Sequence, residues 1–183
     1  MINLYFSIIF IKIICNFGDD YKISFFMFCK SSTSNQLNLF TGTHTLLTNR
    51  ALKKYEDKQM WHNQFRKQIT NRIDETVFRP LFCEDFGAPN APIRILIGMM
   101  VLKEAQDWSD AQLFEECLYN LLVRSAFGLM NLNDTIPASS TYYLLRKRIV
   151  EWEEEGHDNL MGKVFSQITN SQAIEYGYFT ISL

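Results

Sequence analysis

The chain has 183 residues, of which 47% are hydrophobic and 14% aromatic, and this composition excludes a wholly disordered protein. A chain of this length can bury a hydrophobic core without disulfides or metal ions. The formal net charge of −2 gives no overall basicity, but the charge is uneven. Residues 50–80, which we call the basic arm, carry eight basic and four acidic residues, whereas residues 81–138 carry three basic and eight acidic ones.

The cysteines and histidines do not suggest a metal site or a disulfide framework. The four cysteines form no close pair, and the three histidines lie far apart in the sequence. Phosphate-binding glycine loops and the nucleophile motif GxSxG are also absent from the sequence. We therefore expect free thiols in a reducing, cytoplasmic setting, with no metal ion and no cofactor bound to this chain.

The first thirty residues differ from the rest of the chain, since twenty of them are Ile, Phe, Lys, Asn or Tyr. Lys12 interrupts the apolar run, and Asp19 and Asp20 end it before the length of about 20 residues that a membrane span needs. We predict no membrane insertion. We expect translation to begin at Met27, and we assign residues 1–35 to a non-native or flexible leader. The polar residues 31–49 are predicted to be a flexible lead-in.

A single long helix is predicted for residues 50–78, which contain no Gly or Pro. Apolar residues recur there at steps of four and form the stripe of an amphipathic helix. Arg66, Lys67 and Arg72 lie on the flanks of that stripe. The members of the stripe are Trp61, Phe65, Ile69, Ile73 and Val77.

Three further helices are predicted between residues 92 and 128. Residues 93–102 are apolar nearly all round, which is typical of a buried central helix, and Pro92 suits its first turn. Ser109 and Gln112 have the spacing of a capping box, and the helix after them presents Leu113, Phe114, Cys117 and Leu118 on its apolar face. A short helix over residues 120–127 would end at Gly128.

The last part of the chain is predicted to form a helix capped by Ser139 or Ser140 and extending to about Trp152. Its core-facing residues are Tyr142, Leu145, Ile149 and Trp152. A short helix is expected over residues 157–168, and Tyr176–Leu183 has the composition of a β-strand. The predicted fold is therefore mainly α, a multi-helix domain of the DNA-binding type with a short C-terminal strand.

Carboxylates cluster near the end of the helix that is predicted to begin at Ser139 or Ser140. They are Glu151, Glu153, Glu154 and Glu155. Near-adjacent side chains point in different directions around a helix and do not converge on one ion. We interpret them as a solvated helix end, and His157 beside them as a surface residue.

Several segments, in order, resemble the N-terminal region of bacterial insertion-sequence transposases, specifically the InsH-type N-terminal domain. They are WHNQFRKQ at 61–68, FRPLF at 78–82, PNAPIRILIGMMVLK at 89–103, WSD at 108–110, NLLVR at 120–124, FGL at 127–129 and PASST at 137–141. The resemblance covers roughly residues 36–183, starting with QLNLF at 36–40.

The resemblance implies a transposase that binds the terminal inverted repeats of its element through this helical region. A separate RNase H-like domain of the family cuts and joins DNA with an Asp-Asp-Glu triad and Mg²⁺, whose ions hold the attacking and leaving oxygens. Tyr178–Leu183 resembles the first strand of that domain, and the sequence ends before its Asp. We therefore assign no catalytic residue and expect a truncated fragment, with a helical domain over 36–170 and the truncated strand over 171–183.

The predicted DNA contacts lie on two segments. On the helix after Ser139, Ser140, Tyr143 and Lys147 lie opposite the apolar stripe, with Arg146 and Arg148 on either side, as a major-groove helix requires. In the basic arm the candidates are Arg66, Lys67 and Arg72.

Two other functions stay open at this point. The chain is alternatively an oligomerisation module that pairs with itself or with a full-length transposase. A complete small enzyme has little support, because the sequence shows no nucleophile paired with a base.

Overall fold

The computed structural model describes residues 26–30, 42–83 and 88–176, and this part of the chain is mainly helical, as predicted. Two short strands, β1 (Phe26–Met27) and β2 (Ala88–Pro89), pair in parallel. Three 3-10 helices lie at Thr43–Leu46, Thr70–Arg72 and Glu75–Leu81. The α-helices are α1 (Asn49–Glu56), α2 (Trp61–Gln68), α3 (Ile93–Gln106), α4 (Asp110–Tyr119), α5 (Leu121–Ala126), α6 (Ser139–Glu154) and α7 (Leu160–Glu175).

Helix α3 is the centre of the core, as its apolar sequence predicts. Ile97, Met100 and Val101 are buried, and Leu113, Leu145 and Ile149 from α4 and α6 belong to the same cluster. A side-chain carbon at Gly98 would lie 3.2 Å from the ring of Phe127, so the glycine permits the close approach of that ring to α3. Leu118 was predicted to join this core and does not, because it lies on the outer side of α4 and is 55% exposed.

The prediction of one long helix over residues 50–78 is wrong. Helix α1 ends at Glu56, and the chain continues through α2 and two 3-10 helices. Side chains account for the break: Asn63 Nδ2 donates hydrogen bonds to the carbonyl oxygens of Tyr55 (2.8 Å) and Asp57 (2.9 Å), and Asp57 Oδ1 accepts one from the amide of Gln59. These bonds compete with helical ones.

The stripe of apolar residues also fails to support one continuous helix. A strict step of four advances about 40° per step relative to the helix period of 3.6 residues. Trp61 and Val77 would therefore lie on nearly opposite sides of a single helix. Breaking the segment lets Phe65, Ile69, Ile73 and Val77 all contact the core, while Trp61 is partly exposed.

The predicted ends of the middle helices are confirmed. Ser109 and Gln112 form a reciprocal capping box at the start of α4. Asn120 caps α5 through Oδ1, and Gly128 after it has a φ of 82°, in the left-handed region that favours glycine.

The ends of the two C-terminal helices differ from the prediction. The N-cap of α6 is Ala138 and not Ser139 or Ser140, and no side chain caps the helix. Helix α7 begins at Leu160 and continues to Glu175, so residues 171–175 are helical and not part of a strand. Tyr176 is the C-cap of α7, and the rest of the predicted strand, residues 177–183, lies outside the described residues.

The segments before α1 are more closely packed than a leader or a flexible lead-in. Thr43 is fully buried, and its Oγ1 lies 3.0 Å from the hydroxyl of Tyr55. The amide of Phe28 donates to the carbonyl oxygen of Cys83, and the Phe28 ring packs on Phe82. Thr43 and Phe28 thus contact the helical domain, whereas residues 1–25 and 31–41 lie outside the described residues. Within the described ranges, no helix is both long and apolar enough to cross a membrane.

Candidate nucleic-acid interface

Helix α6 turns its apolar stripe toward the core, as predicted. Tyr142, Leu145 and Ile149 are buried, and Trp152 is half-buried and stacks on His157 with ring centroids 3.9 Å apart. The opposite side carries Ser140 and Lys147, of which Ser140 is exposed. The Lys147 ammonium lies 3.8 Å from Glu151 one turn later, so the charge on this surface is partly offset.

Arg146 and Tyr143 point toward α4 and form a polar cluster with Asp110. The Tyr143 hydroxyl donates to Asp110 Oδ2 at 3.0 Å, and Asp110 Oδ1 lies 3.7 Å from Arg146 Nη1 and 3.2 Å from Lys103 Nζ. Arg146 is 6% exposed and lies over the ring of Tyr142. The geometry thus uses these two predicted DNA contacts to join α6 to α4.

Arg148 also faces the protein. Its Nη1 donates to the carbonyl oxygen of Leu81 at 3.4 Å, and its guanidinium lies 5.6 Å from the centre of the Phe82 ring. Burial lowers the pKa of Arg148 from its ordinary value. An arginine stays protonated at neutral pH even so, and the contact fixes a cation beside the end of the 3-10 helix Glu75–Leu81.

Arg66 on α2 likewise has a structural role. Its Nη1 donates to the backbone carbonyl of Ser125 at 3.3 Å and to the Ser125 hydroxyl at 3.2 Å, and its Nη2 donates to Asn63 Oδ1 at 2.8 Å. These bonds tie α2 to α5. Arg66 therefore stabilises the corner from which the neighbouring basic residues project.

Lys67 and Arg72 meet on one carboxylate at the end of α7. Lys67 Nζ lies 3.3 Å from Glu175 Oε1, and Arg72 Nη2 contacts Glu175 Oε2. Hydrogen bonds from Arg72 and then from Lys67 hold the pKa of Glu175 below its usual value. The structure thus brings these two predicted DNA contacts together. Among the ion pairs of the described residues, they share no partner with the predicted contacts on α6.

A further set of cations was not among the predicted contacts, although it lies in the basic arm. Arg50, Lys53 and Lys54 on α1 and Lys58 after it are all exposed. Spacings of three and four residues place the first three on one side of α1, while Tyr55 is buried on another. No carboxylate of the described residues lies within ion-pair distance of any of these four cations. The spacing within α1 was visible in the sequence, but the prediction of a single helix obscured it.

The acidic end of α6 is solvated, as interpreted from the sequence. Glu151, Glu154 and Glu155 are exposed, and Glu153 accepts a hydrogen bond from Asn159 Nδ2 at 2.9 Å. In the described ranges, no three His, Cys, Asp or Glu side chains are grouped so that they could hold a metal ion.

The sequence matches the model of a known protein family. The family model described as transposase domain (DUF772) matches residues 53–148, just over half of the chain. The chain belongs to this transposase family. No curated protein and no solved structure matches it.

The part that matches the transposase domain begins within α1 and ends within α6. It includes Lys53, Lys54 and Lys147, as well as the Asp110 cluster, and it supports a role in transposition. Arg50 and Glu175 lie outside it. The DDE type and the InsH-type assignment are finer than this match and stay expectations.

Proposed function

We propose that this helical domain binds the terminal inverted repeats of a mobile element, and that the exposed cations of α1 make the main contacts with the DNA backbone. The observation that carries the proposal is the basic side of α1, where Arg50, Lys53 and Lys54 are followed by Lys58, all exposed and without an ion-pair partner among the described residues. Cations that neutralise phosphates release condensed counterions, and this release drives association with DNA.

Helix α6 is the second contact in this proposal. Among the predicted contacts on α6, Ser140 is exposed and Lys147 is partly exposed. Glu151 lies on the same side and pairs with Lys147, so this surface attracts phosphates less than α1 does. We assign Lys147 to a phosphate contact that positions α6 and Ser140 to contact with base edges, since phosphate contacts fix the orientation of a protein on DNA and base contacts supply sequence preference.

The test is the affinity of the purified domain for a duplex that carries the terminal repeat of the neighbouring element, measured by fluorescence anisotropy at several salt concentrations. Lys53→Ala with Lys54→Ala should reduce the magnitude of the log–log salt slope by about two, because each phosphate contact contributes about 0.9. Lys53→Glu with Lys54→Glu should weaken binding at least tenfold. A folded variant that binds as tightly as the wild type contradicts the role of α1.

Two controls sharpen this test. Lys163→Glu changes an exposed lysine of α7 outside the family match, which pairs with Asp158, and should alter affinity little. A shuffled duplex of the same length separates terminal-repeat recognition from general DNA binding. Equal affinity for both duplexes would contradict repeat recognition but leave DNA binding standing.

The alternative, an interaction module that pairs with itself or with a full-length transposase, is favoured by one observation. Leu118 and Tyr119 at the end of α4 are 55% and 78% exposed, which is unusual for large apolar side chains next to each other. Sedimentation of the wild type and of a Leu118→Glu, Tyr119→Glu variant tests it. A concentration-dependent dimer that the variant abolishes supports this function, and a monomer in both cases contradicts self-association.

A further inference from the structure

An ion-paired contact between distant parts of the described chain joins the basic arm to the end of α7. Each oxygen of the Glu175 carboxylate has its own cation, Lys67 for Oε1 and Arg72 for Oε2. The two cations come from different elements, α2 and the 3-10 helix Thr70–Arg72. Two donors that converge on two oxygens of one anion are the arrangement by which proteins also hold a phosphate group.

Polar contacts rather than apolar burial hold this last turn of α7. Gln68 Nε2 donates to the Tyr176 hydroxyl at 2.7 Å, and Gln172 Nε2 donates to the Gln68 carbonyl at 3.2 Å. After Ile168, Ala173 is the single buried apolar residue of the helix, and Ile174 is 73% exposed. Surface ion pairs and exposed hydrogen bonds contribute little each, so this turn can be displaced at small cost.

Arg72 is the least exposed of the three charged side chains in this contact. The side chain of Arg72 is only 17% exposed, whereas those of Glu175 and Lys67 are 39% and 61% exposed. Two cations facing one carboxylate also leave a net positive charge. A second anion that approaches Lys67 and Arg72 is therefore attracted to them even while Glu175 is bound.

We propose that Lys67 and Arg72 form a seat for a DNA backbone phosphate, and that Glu175 occupies this seat as an internal competitor when DNA is absent. The inference rests on the proposed DNA-binding function and adds a means of regulation to it. A phosphodiester carries one negative charge, as the carboxylate does, so exchange keeps the charge balance of the seat and releases Glu175 to water. The end of α7 thereby lowers the affinity of the domain for DNA.

Glu175→Gln tests the competition, because it keeps the size of the side chain and removes its charge. We expect about a threefold to tenfold tighter affinity for duplex DNA, because a phosphate no longer has to displace a carboxylate from the two cations. Glu154→Gln is the matched control, since it makes the same charge change at the exposed end of α6. Equal effects of the two variants would show a bulk charge effect and overturn the proposal.

A double-variant cycle adds a readout that bulk charge does not produce. Lys67→Ala should weaken DNA binding less in the wild-type background than in the Glu175→Gln background, because in the wild type it also weakens the ion pair that competes with the phosphate. The same loss in both backgrounds overturns the competition. If the α1 variants weaken DNA binding while Glu175→Gln has no effect, the proposed function stands and this inference falls; if the wild type and Glu175→Gln both fail to bind DNA, both fall.

Discussion

The imidazole Nε2 of His62 lies 2.9 Å from the backbone carbonyl oxygen of Tyr55. A carbonyl oxygen only accepts, so Nε2 carries the proton in this contact. His62 is fully buried, its ring stacks on that of Tyr55, and Asn63 donates to the same carbonyl. This contact fixes the corner between α1 and α2, and with it the direction in which the cations of α1 project.

Stability should depend on pH through His62. Burial is the main cause that lowers its pKa below 6.5 in the folded protein, so the unfolded chain binds the proton more tightly. The contribution of His62 to the free energy of unfolding is fully present above pH 6.5, and it is lost as the pH falls from 6.5 toward the lowered pKa. Melting temperatures measured between pH 5.5 and 7.5 should fall toward the acid end.

The variant His62→Gln should remove most of that pH dependence, whatever it does to the stability itself. His157→Gln is the control, because it makes the same substitution at an exposed position just after α6. A slope that persists in His62→Gln and disappears in His157→Gln would contradict this assignment.

The core is tested by a pair of leucines that looked alike in the sequence. Leu145 is 3% exposed and packs in the main cluster, whereas Leu118 is 55% exposed. Leu145→Ala should lower the free energy of unfolding by about 2–5 kcal/mol through lost burial and the cavity it leaves. Leu118→Ala should change it by less than about 0.5 kcal/mol. Chemical denaturation of both variants decides the matter, and similar losses would contradict the orientation of α4.

Sequence could predict the features that depend on neighbouring residues. The capping box of Ser109 and Gln112 and the glycine after α5 follow from local patterns, and the all-round apolar sequence of α3 indicates its central position. The break between α1 and α2 was not predicted, because it depends on hydrogen bonds that the side chains of His62 and Asn63 make to the Tyr55 carbonyl oxygen in the folded chain.

The candidate site was harder to predict than the fold, for a related reason. Charge alone does not tell whether an arginine faces water or another element. Arg146 follows the core residue Leu145 and lies only about 40° around the helix from Tyr142, so the position borders the apolar stripe. The contact with Asp110 on α4 then orients the Arg146 side chain, and this contact joins residues that are 36 positions apart in the sequence.

The cysteines should differ sharply in reactivity. Cys117 is fully buried, and burial raises the pKa of its thiol to about 12, whereas Cys29 is exposed. Only the thiolate reacts readily with alkylating reagents. In native protein at pH 8, iodoacetamide should label Cys29 within minutes and leave Cys117 unlabelled until denaturant is added. Peptide mass spectrometry measures both, and rapid native labelling of Cys117 would contradict its position in the core.

Arg146 and Lys147 are adjacent cations that should separate structure from DNA contact. Arg146 is buried over Tyr142 beside Asp110, so Arg146→Ala should cost about 1–3 kcal/mol of unfolding free energy through lost packing and a weakened charge pair. Lys147 is paired only across the surface, so Lys147→Ala should change stability by less than about 0.5 kcal/mol. Denaturant titration and DNA binding at several salt concentrations are measured on the same preparations.

For DNA binding, we expect Lys147→Ala to have the larger effect and Arg146→Ala the smaller one. Lys147→Ala should reduce the magnitude of the salt slope by about one if Lys147 contacts a phosphate, and Lys147→Glu should weaken binding further. Arg146→Ala, at a temperature where it stays folded, should leave the slope unchanged because its guanidinium faces α4. A reduced slope in Arg146→Ala with full stability would place Arg146 on the DNA side of α6. Unchanged binding in both Lys147 variants would leave the cations of α1 as the contact that accounts for affinity.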